Sequence, residues 1–296
     1  MKKSIGEKIF DKFNIIIMIF LSVIFVYPYL NQVAISLNDG ADTMLGGITI
    51  FPRKFTWVNY EAIIKNVDII RAFGLTAFVA IIHTFFTVII CLGAAYGAHK
   101  KDMPFRNAII WFLLIPGYIP VGAIPVFILY RHLHLLNNIL VFILPGMFTF
   151  YNMVVIRSYL DGLPDGLEEA AYVEGANEMQ ILFKIILPIS MPVLATVALW
   201  AVVGSWNSWT ATLYYVNDRK LYQLQYVIMQ LIKQSETIQK MTTEAAITGT
   251  DVSNVQPTSE SIKSAAIIFS TLPIVMSYPF LQKYFVKGIT VGAVKG

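Results

Sequence analysis

Charge is scarce in this sequence. Asp, Glu, Lys and Arg make up 14% of 296 residues, while hydrophobic residues make up 56%. A soluble domain carries about 25% charged residues. Mean hydropathy is +0.64. Such a chain has too little polar surface for a water-soluble enzyme, and too much oil for a disordered segment or a collagen-like fibre. Cysteine is scarcer still. Cys91 stands alone, so no intramolecular disulfide and no cysteine-based metal site can form. Inside its apolar run it reads as a small buried apolar residue. No G-x-x-x-x-G-K-S/T phosphate loop occurs, so the chain does not itself hydrolyse ATP. The histidines are His83, His99, His132 and His134. The pair His132-Leu133-His134 has no acidic or cysteine neighbour and reads as a solvated turn rather than a metal site.

What is abundant is long apolar sequence. Six stretches contain no Asp, Glu, Lys or Arg: Phe13–Leu37, Ala72–Ala98, Asn107–Tyr130, Ile139–Ile156, Ile185–Trp206 and Ala265–Gln282. About 20 apolar residues cross a bilayer as a helix, and backbone groups in lipid must be bonded internally. No short alternating strands of a barrel appear. The expected fold class is therefore an all-α membrane protein with six transmembrane helices. Pro28, Pro116, Pro120, Pro125, Pro145, Pro188, Pro192, Pro273 and Pro279 fall inside the spans. Each favours a kink, and neighbouring helices can satisfy the freed carbonyls. Met1-Lys2-Lys3 resembles a signal-peptide n-region, but the following run is too long for an h-region and has no A-x-A site. The first helix is expected to remain uncleaved.

Six spans put both termini on one side. Segments 2–12, 99–106, 157–184 and 283–296 hold twelve of the 22 Lys and Arg, at about twice the density of segments 38–71, 131–138 and 207–264. The positive-inside rule makes both termini cytoplasmic. The small basic excess, with a pI of about 9.0, belongs to these loops and not to a nucleic-acid surface. The reading is a cytoplasmic N-terminus at 1–12 followed by a single transmembrane domain over 13–296. The outer segment 38–71 is expected to hold a short helix starting near Trp57. The outer segment 207–264 reads helically through Leu224–Lys240 and ends in a polar stretch around Thr250–Glu260. A loop this long suggests a bound partner.

The inner segment 157–184 carries the most information. Asp165 with Glu168, and Asn177 with Gln180, are spaced as capping boxes. Gly175 is suited to a helix end with positive φ. Two short helices should therefore meet near Gly175 and lead into the fifth span. Glu169-Ala170-Ala171, then three residues, Gly175, nine residues, and Ile185-x-Leu187-Pro188 resemble the EAA motif of ABC importer permeases. Seven residues fixed at those spacings recur by chance on the order of once in a million such chains. The C-terminal run from Tyr278-Pro279-Phe280-Leu281-Gln282-Lys283 to Gly292-Ala293-Val294-Lys295-Gly296 is similar to the ending of maltose-class carbohydrate permeases. It most resembles the complex-oligosaccharide branch of Gram-positive bacteria.

This resemblance implies a type I ABC importer permease fold in the plasma membrane, with 157–184 as the loop that couples to a separate ATPase. The implied partners are a second homologous permease, two copies of a cytoplasmic ABC ATPase and an extracellular lipoprotein-type sugar-binding protein, besides membrane lipid. ATP and magnesium would sit on the ATPase, with no cofactor on this chain. The coupling residues would be Glu169, Ala170, Ala171, Gly175, Ile185, Leu187 and Pro188. Ala170 and Ala171 would let a partner groove approach, Gly175 would set an angle, Glu169 would pair with or cap partner groups, and Pro188 would mark re-entry into the membrane. Leu167 and Tyr172 would fill the partner groove, and the tail 283–296 would approach the ATPase.

A sugar route needs amide and hydroxyl partners beside flat aromatic faces. Tyr118, Tyr151, Asn152, Trp206 and Asn207 offer them, although Trp and Tyr also mark membrane interfaces. The small-residue face of Gly93, Ala94, Ala95, Gly97 and Ala98 reads as close helix packing. The competing readings are a secondary transporter of a small polar solute and an integral-membrane enzyme. The first calls for intramembrane charges and inverted repeats, and the second for a catalytic constellation. Neither pattern is present in the sequence.

Overall fold

The computed structural model describes residues 4–119, 121–164, 166–248 and 260–293. Asp165, nearly all of the polar stretch 250–260 and the last three residues of the tail lie outside them. The described chain is helical. The one β pairing among these residues is an isolated antiparallel bridge between Asn38 and Phe55. The helices are α1 (Ile5–Ser36), α2 (Gly40–Thr43), α3 (Val58–Lys65), α4 (Val67–His99), α5 (Arg106–Tyr118), α6 (Ala123–His132), α7 (Leu140–Ile143), α8 (Phe150–Leu160), α9 (Gly166–Val173), α10 (Glu178–Ile181), α11 (Leu187–Ile189), α12 (Met191–Trp206), α13 (Thr210–Tyr215), α14 (Leu224–Thr248) and α15 (Glu260–Ala293). Contacts divide the chain into two compact units, Met1–Ile70 with Val227–Leu272, and Arg71–Tyr226 with Pro273–Gly296.

Two helices among the described residues are long and apolar enough to cross a bilayer, Gly6–Ser36 and Val67–His99. Ser4 and Glu7 close a capping box at the start of α1. Two bent pairs add apolar length. α5 and α6 meet at 118°, and the helical run Glu178–Ile189 meets α12 at 80°. Prolines account for the second bend. Pro188 and Pro192 have no N–H to offer the carbonyls of Lys184 and Pro188, and a π-turn over Leu182–Ile186 already loosens the ladder. The expected span 185–206 thus begins only at Met191, and the turn falls at Ser190, two residues beyond Pro188.

The expected helix over 139–156 is also broken. α7 ends at Ile143, and α8 starts at Phe150 with Thr149 as its N-cap. Pro145 cannot continue α7, and Gly146 takes φ +79°. Carbonyls that flank the break face α4. His83 Nδ1 donates to Ile143 O at 2.9 Å. Cys91 Sγ donates to Met147 O at 3.8 Å and to Thr149 O at 4.0 Å. The same stretch of α4 supplies Cys91, Leu92, Ala95, Tyr96 and Ala98 to a core shared with α8 and α12. Ala95 and Ala98 are buried there, while Gly93 is exposed, so only part of the small-residue face packs.

The first unit is tied by a polar knot. Asn38 is fully buried. Its amide donates to Asp39 O, Asp42 Oδ2 and Thr43 Oγ1 at 3.0–3.1 Å, while its Oδ1 accepts from Lys54 N at 2.8 Å. Thr43 Oγ1 meets Ser261 Oγ of α15 at 2.8 Å. Arg53 Nε lies 3.0 Å from Asp42 Oδ2. The Asn38 amide and the Arg53 guanidinium hold the Asp42 carboxyl below the usual carboxylate range. Asn38→Ala would orphan the Lys54 N–H and take one donor each from Asp42 and Thr43, which keep Arg53 and Ser261. It should destabilise the protein by about 2 kcal/mol, read as a lowered thermal midpoint in detergent. An unchanged midpoint would show that the knot is decorative.

Candidate functional site

The segment expected to carry coupling folds as an elbow. α9 ends in a Schellman motif. Ala176 N donates to Ala171 O at 3.0 Å and Gly175 N to Tyr172 O at 2.9 Å, with Gly175 at φ +81°. Asn177 then opens α10 with a reciprocal capping box, its backbone N–H and side-chain oxygen each 2.9 Å from their Gln180 partners. The glycine supplies the left-handed residue and the asparagine restarts the helix, so the chain turns within three residues.

The elbow has an inner and an outer face. Ala171, Ile181, Leu182 and Ile186 are buried in the core formed with α4 and α8. This corrects one expectation: Ala171 faces the protein's own interior at 6% exposure and is closed to a partner. Glu169, Ala170, Gly175 and Pro188 are exposed, and Ile185 and Leu187 are half-buried. Outward-facing apolar residues that the motif does not name are Val173, 89% exposed, and Met179, 62% exposed. An apolar residue followed by Glu174 at the edge of a polar loop was the available signal.

Tyr172, expected to fill a partner groove, turns instead onto its own chain. Its hydroxyl donates to Glu178 and accepts from Lys100 Nζ at 2.9 Å. Lys100, immediately after α4, is also ion-paired with Glu168, lies 3.4 Å from Glu178, and rests over the rings of Tyr96 at 4.7 Å and Tyr172 at 5.0 Å. Tyr96 donates to Glu178 at 2.6 Å. Beside this cluster, His99 Nδ1 meets Asp161 at 2.6 Å, and Arg157 Nε lies 3.5 Å from the same carboxylate. Burial disfavours the Lys100 charge, but hydrogen bonds to Glu168, Tyr172 and Tyr96 outweigh it and raise the ammonium above the usual lysine range. The hydroxyls of Tyr172 and Tyr96, helped by Lys100, hold Glu178 below the usual carboxylate range. The cluster borders a cavity of about 440 Å³ that Leu167 and Glu169 also line. Charge pairs separated by 68 and 78 positions in sequence carry no local signature.

The residues expected along a sugar route do not converge. Tyr118 and Tyr151 line one cavity of about 690 Å³, and Tyr151 lies against Trp200 at 5.5 Å. Asn152 is buried. Trp206, 6% exposed, packs edge-on against Phe73 at 5.5 Å. Asn207 is exposed and accepts from Gln225 at 3.3 Å. A second cavity of about 490 Å³ was not foreseen. His83, Tyr130, Ser205, Tyr214, Tyr215 and Gln223 are among its lining. The adjacent tyrosines after Trp209 were its one visible trace. Among the described residues no group of three His, Cys, Asp or Glu is placed to hold a metal.

The whole chain has relatives. It is 32% identical over 289 residues to Protein LplC of Bacillus subtilis (strain 168), covering 98% of this chain and 96% of that protein. It is 28% identical to the polygalacturonan/rhamnogalacturonan transport system permease protein YtcP of the same organism, covering 98% and 99%. A solved bacterial ABC transporter involved in import of the acidic polysaccharide alginate superposes with a TM-score of 0.85 at 22% identity, covering 96% of this chain and 99% of that one. That likeness identifies the fold as that of a type I ABC importer permease. The family profile of binding-protein-dependent transport system inner membrane components spans residues 87–291 and so takes in the elbow and the Lys100 cluster: the chain belongs to this family, as a membrane permease of an ABC importer.

Proposed function

We propose that the chain is one of two unlike transmembrane subunits of an importer that takes up an oligosaccharide presented by an extracellular binding protein. A second permease completes the path, and two copies of a cytoplasmic ATPase bind ATP and magnesium. The observation that carries this reading is the elbow at Gly175, two capped helical segments with an apolar outer edge at Val173 and Met179. Such an edge suits a groove in another subunit. The names of the relatives support a saccharide cargo. Tyrosines stand beside a hydroxyl at Thr149 in one cavity and beside Ser205 and Gln223 in the other, a lining that suits sugar rings. The six charge-free runs support six crossings with both termini inside, the broken runs counting as bent spans.

Two experiments test it. In proteoliposomes holding both permeases and the ATPase, binding protein loaded with oligosaccharide should stimulate hydrolysis and uptake. Uptake driven by an ion gradient without ATP would replace this reading with a secondary transporter. In intact cells, Val294→Cys should be modified only by reagents that enter the cytoplasm. Modification by impermeant reagents would overturn the orientation.

The elbow makes a sharper demand. A Cβ at Gly175 would meet nothing within 4 Å, so the penalty of Gly175→Val is conformational, about 1–2 kcal/mol or more for the positive φ. Gly175→Val should cut binding-protein-stimulated hydrolysis by about tenfold. Gly175→Asn, which tolerates the left-handed region, should retain most of it. Equal loss in both variants would point to partner contact at the glycine rather than to backbone shape.

A further inference from the structure

α4 touches two places that an importer must move together. At its cytoplasmic end, Lys100 pairs with Glu168 on α9 and approaches Glu178 on α10. Those two carboxylates stand on opposite sides of the Gly175 turn. In its middle, His83 holds the last carbonyl of α7, that of Ile143 just before the break at 144–149, and Cys91 reaches the carbonyls of Met147 and Thr149 within it. That break borders both cavities, with Pro145 and Gly146 on one and Phe148 and Thr149 on the other. It also caps α8 through Thr149.

The mechanical properties of these parts differ. The turn is open, because nothing lies within 4 Å of a Cβ built at Gly175. Side chains that bridge the turn therefore fix the angle between α9 and α10, and Lys100 joins both arms. Its side chain is 16% exposed and that of Glu168 is 17% exposed, so solvent screens the pair far less than an open surface pair. From Lys100 to His83 the helix and its first following residue span about 25 Å, stiffened by internal hydrogen bonds at 1.5 Å per residue. The break at 144–149 has lost part of its own ladder to Pro145 and depends on α4 for replacement partners. An axial shift of α4 acts directly on that segment.

We propose that α4 is a connecting rod between the coupling elbow and the break at 144–149, with Lys100 and His83 as the positioning residues at its two ends. Movement imposed on α9 and α10 by the ATPase passes through Lys100 to α4, and through His83 to the segment between the cavities. The inference rests on the importer reading. Spatial continuity alone does not establish coupling, so the test is a double-mutant cycle.

The full complex is reconstituted with binding protein and oligosaccharide, and both stimulated hydrolysis and sugar moved per ATP are measured. Lys100→Met keeps the side-chain length and removes the charge. It should lower stimulated hydrolysis by about tenfold, inside the usual range of coupling between sites. Lys100→Arg should recover most of the loss, while Lys65→Met, on an exposed pair with Glu61, should change neither readout. His83→Ala should leave hydrolysis stimulated but lower sugar moved per ATP, and His83→Asn, which still donates to a carbonyl, should restore it.

Changes this far apart normally add. On the rod, the loss of transport from Lys100→Met should shrink in the His83→Ala background. Additive losses, or Lys100→Met with full stimulation, would overturn the proposal. If Lys100→Met fails to assemble, Tyr172→Phe takes its place, since it removes only the hydroxyl shared by Lys100 and Glu178. Full stimulation and full additivity in that variant would overturn it equally. Failure of the importer reading itself would show in the unmodified complex, as hydrolysis indifferent to sugar and binding protein.

Discussion

A peptide carbonyl released by proline inside a bilayer has no water to turn to. Much of this fold follows from where those carbonyls find donors. Pro145 ends α7, Gly146 reverses the backbone, and the carbonyls of Ile143, Met147 and Thr149 meet His83 and Cys91 on α4. The break is therefore possible only because a long, unbroken helix runs beside it. The same helix fills the core between α8 and α12 with Leu92, Ala95 and Ala98. In lipid, tail packing gives helices no hydrophobic reason to associate, so these close contacts and side-chain bonds hold the second unit together.

At the C-terminal end of α4 the governing interaction changes from hydrogen bonding to charge. Glu168 and Glu178 lie on either side of a turn that packing leaves open, and Lys100 pairs with the first and lies 3.4 Å from the second. Removing one member would strand the others in a partly desolvated cluster, which costs far more than losing an exposed pair. The outer face of the elbow is free of this cluster and presents Val173 and Met179. One short segment thus has two unlike sides, an inner one fixed to α4 and an outer one that is apolar and exposed.

The sequence was informative where the physics is local. Charge-free runs located the C-terminal ends of α1 and α4 to within one residue, while the helices begin at Ile5 and Val67, ahead of runs that open at Phe13 and Ala72. The spacing of Asn177 and Gln180 and the glycine at 175 gave the elbow, because capping involves neighbours within five residues. Trp57 marked the start of α3, and the helical reading of Leu224–Lys240 fell inside α14. Other features required tertiary knowledge. Proline flagged a kink in 139–156 but not a full break, since the outcome depended on donors from a helix some 60 residues earlier. Which alanine of the EAA motif faces inward was undecidable from composition, and the structure buries Ala171. Trp206 resembled an interfacial or route residue until Phe73 appeared against it. Lys100 looked like one of several loop lysines, because its partners are far along the chain.

Cys91 is fully buried, with its sulfur directed at backbone carbonyls rather than at a second cysteine or a metal. Oxidants and thiol reagents act on accessible thiolate, and neither compartment has access to this sulfur. The described fold therefore needs no oxidising folding machinery on one side and no reducing pool on the other. A permease that faces both environments at once is, in its own covalent chemistry, indifferent to the redox poise of either.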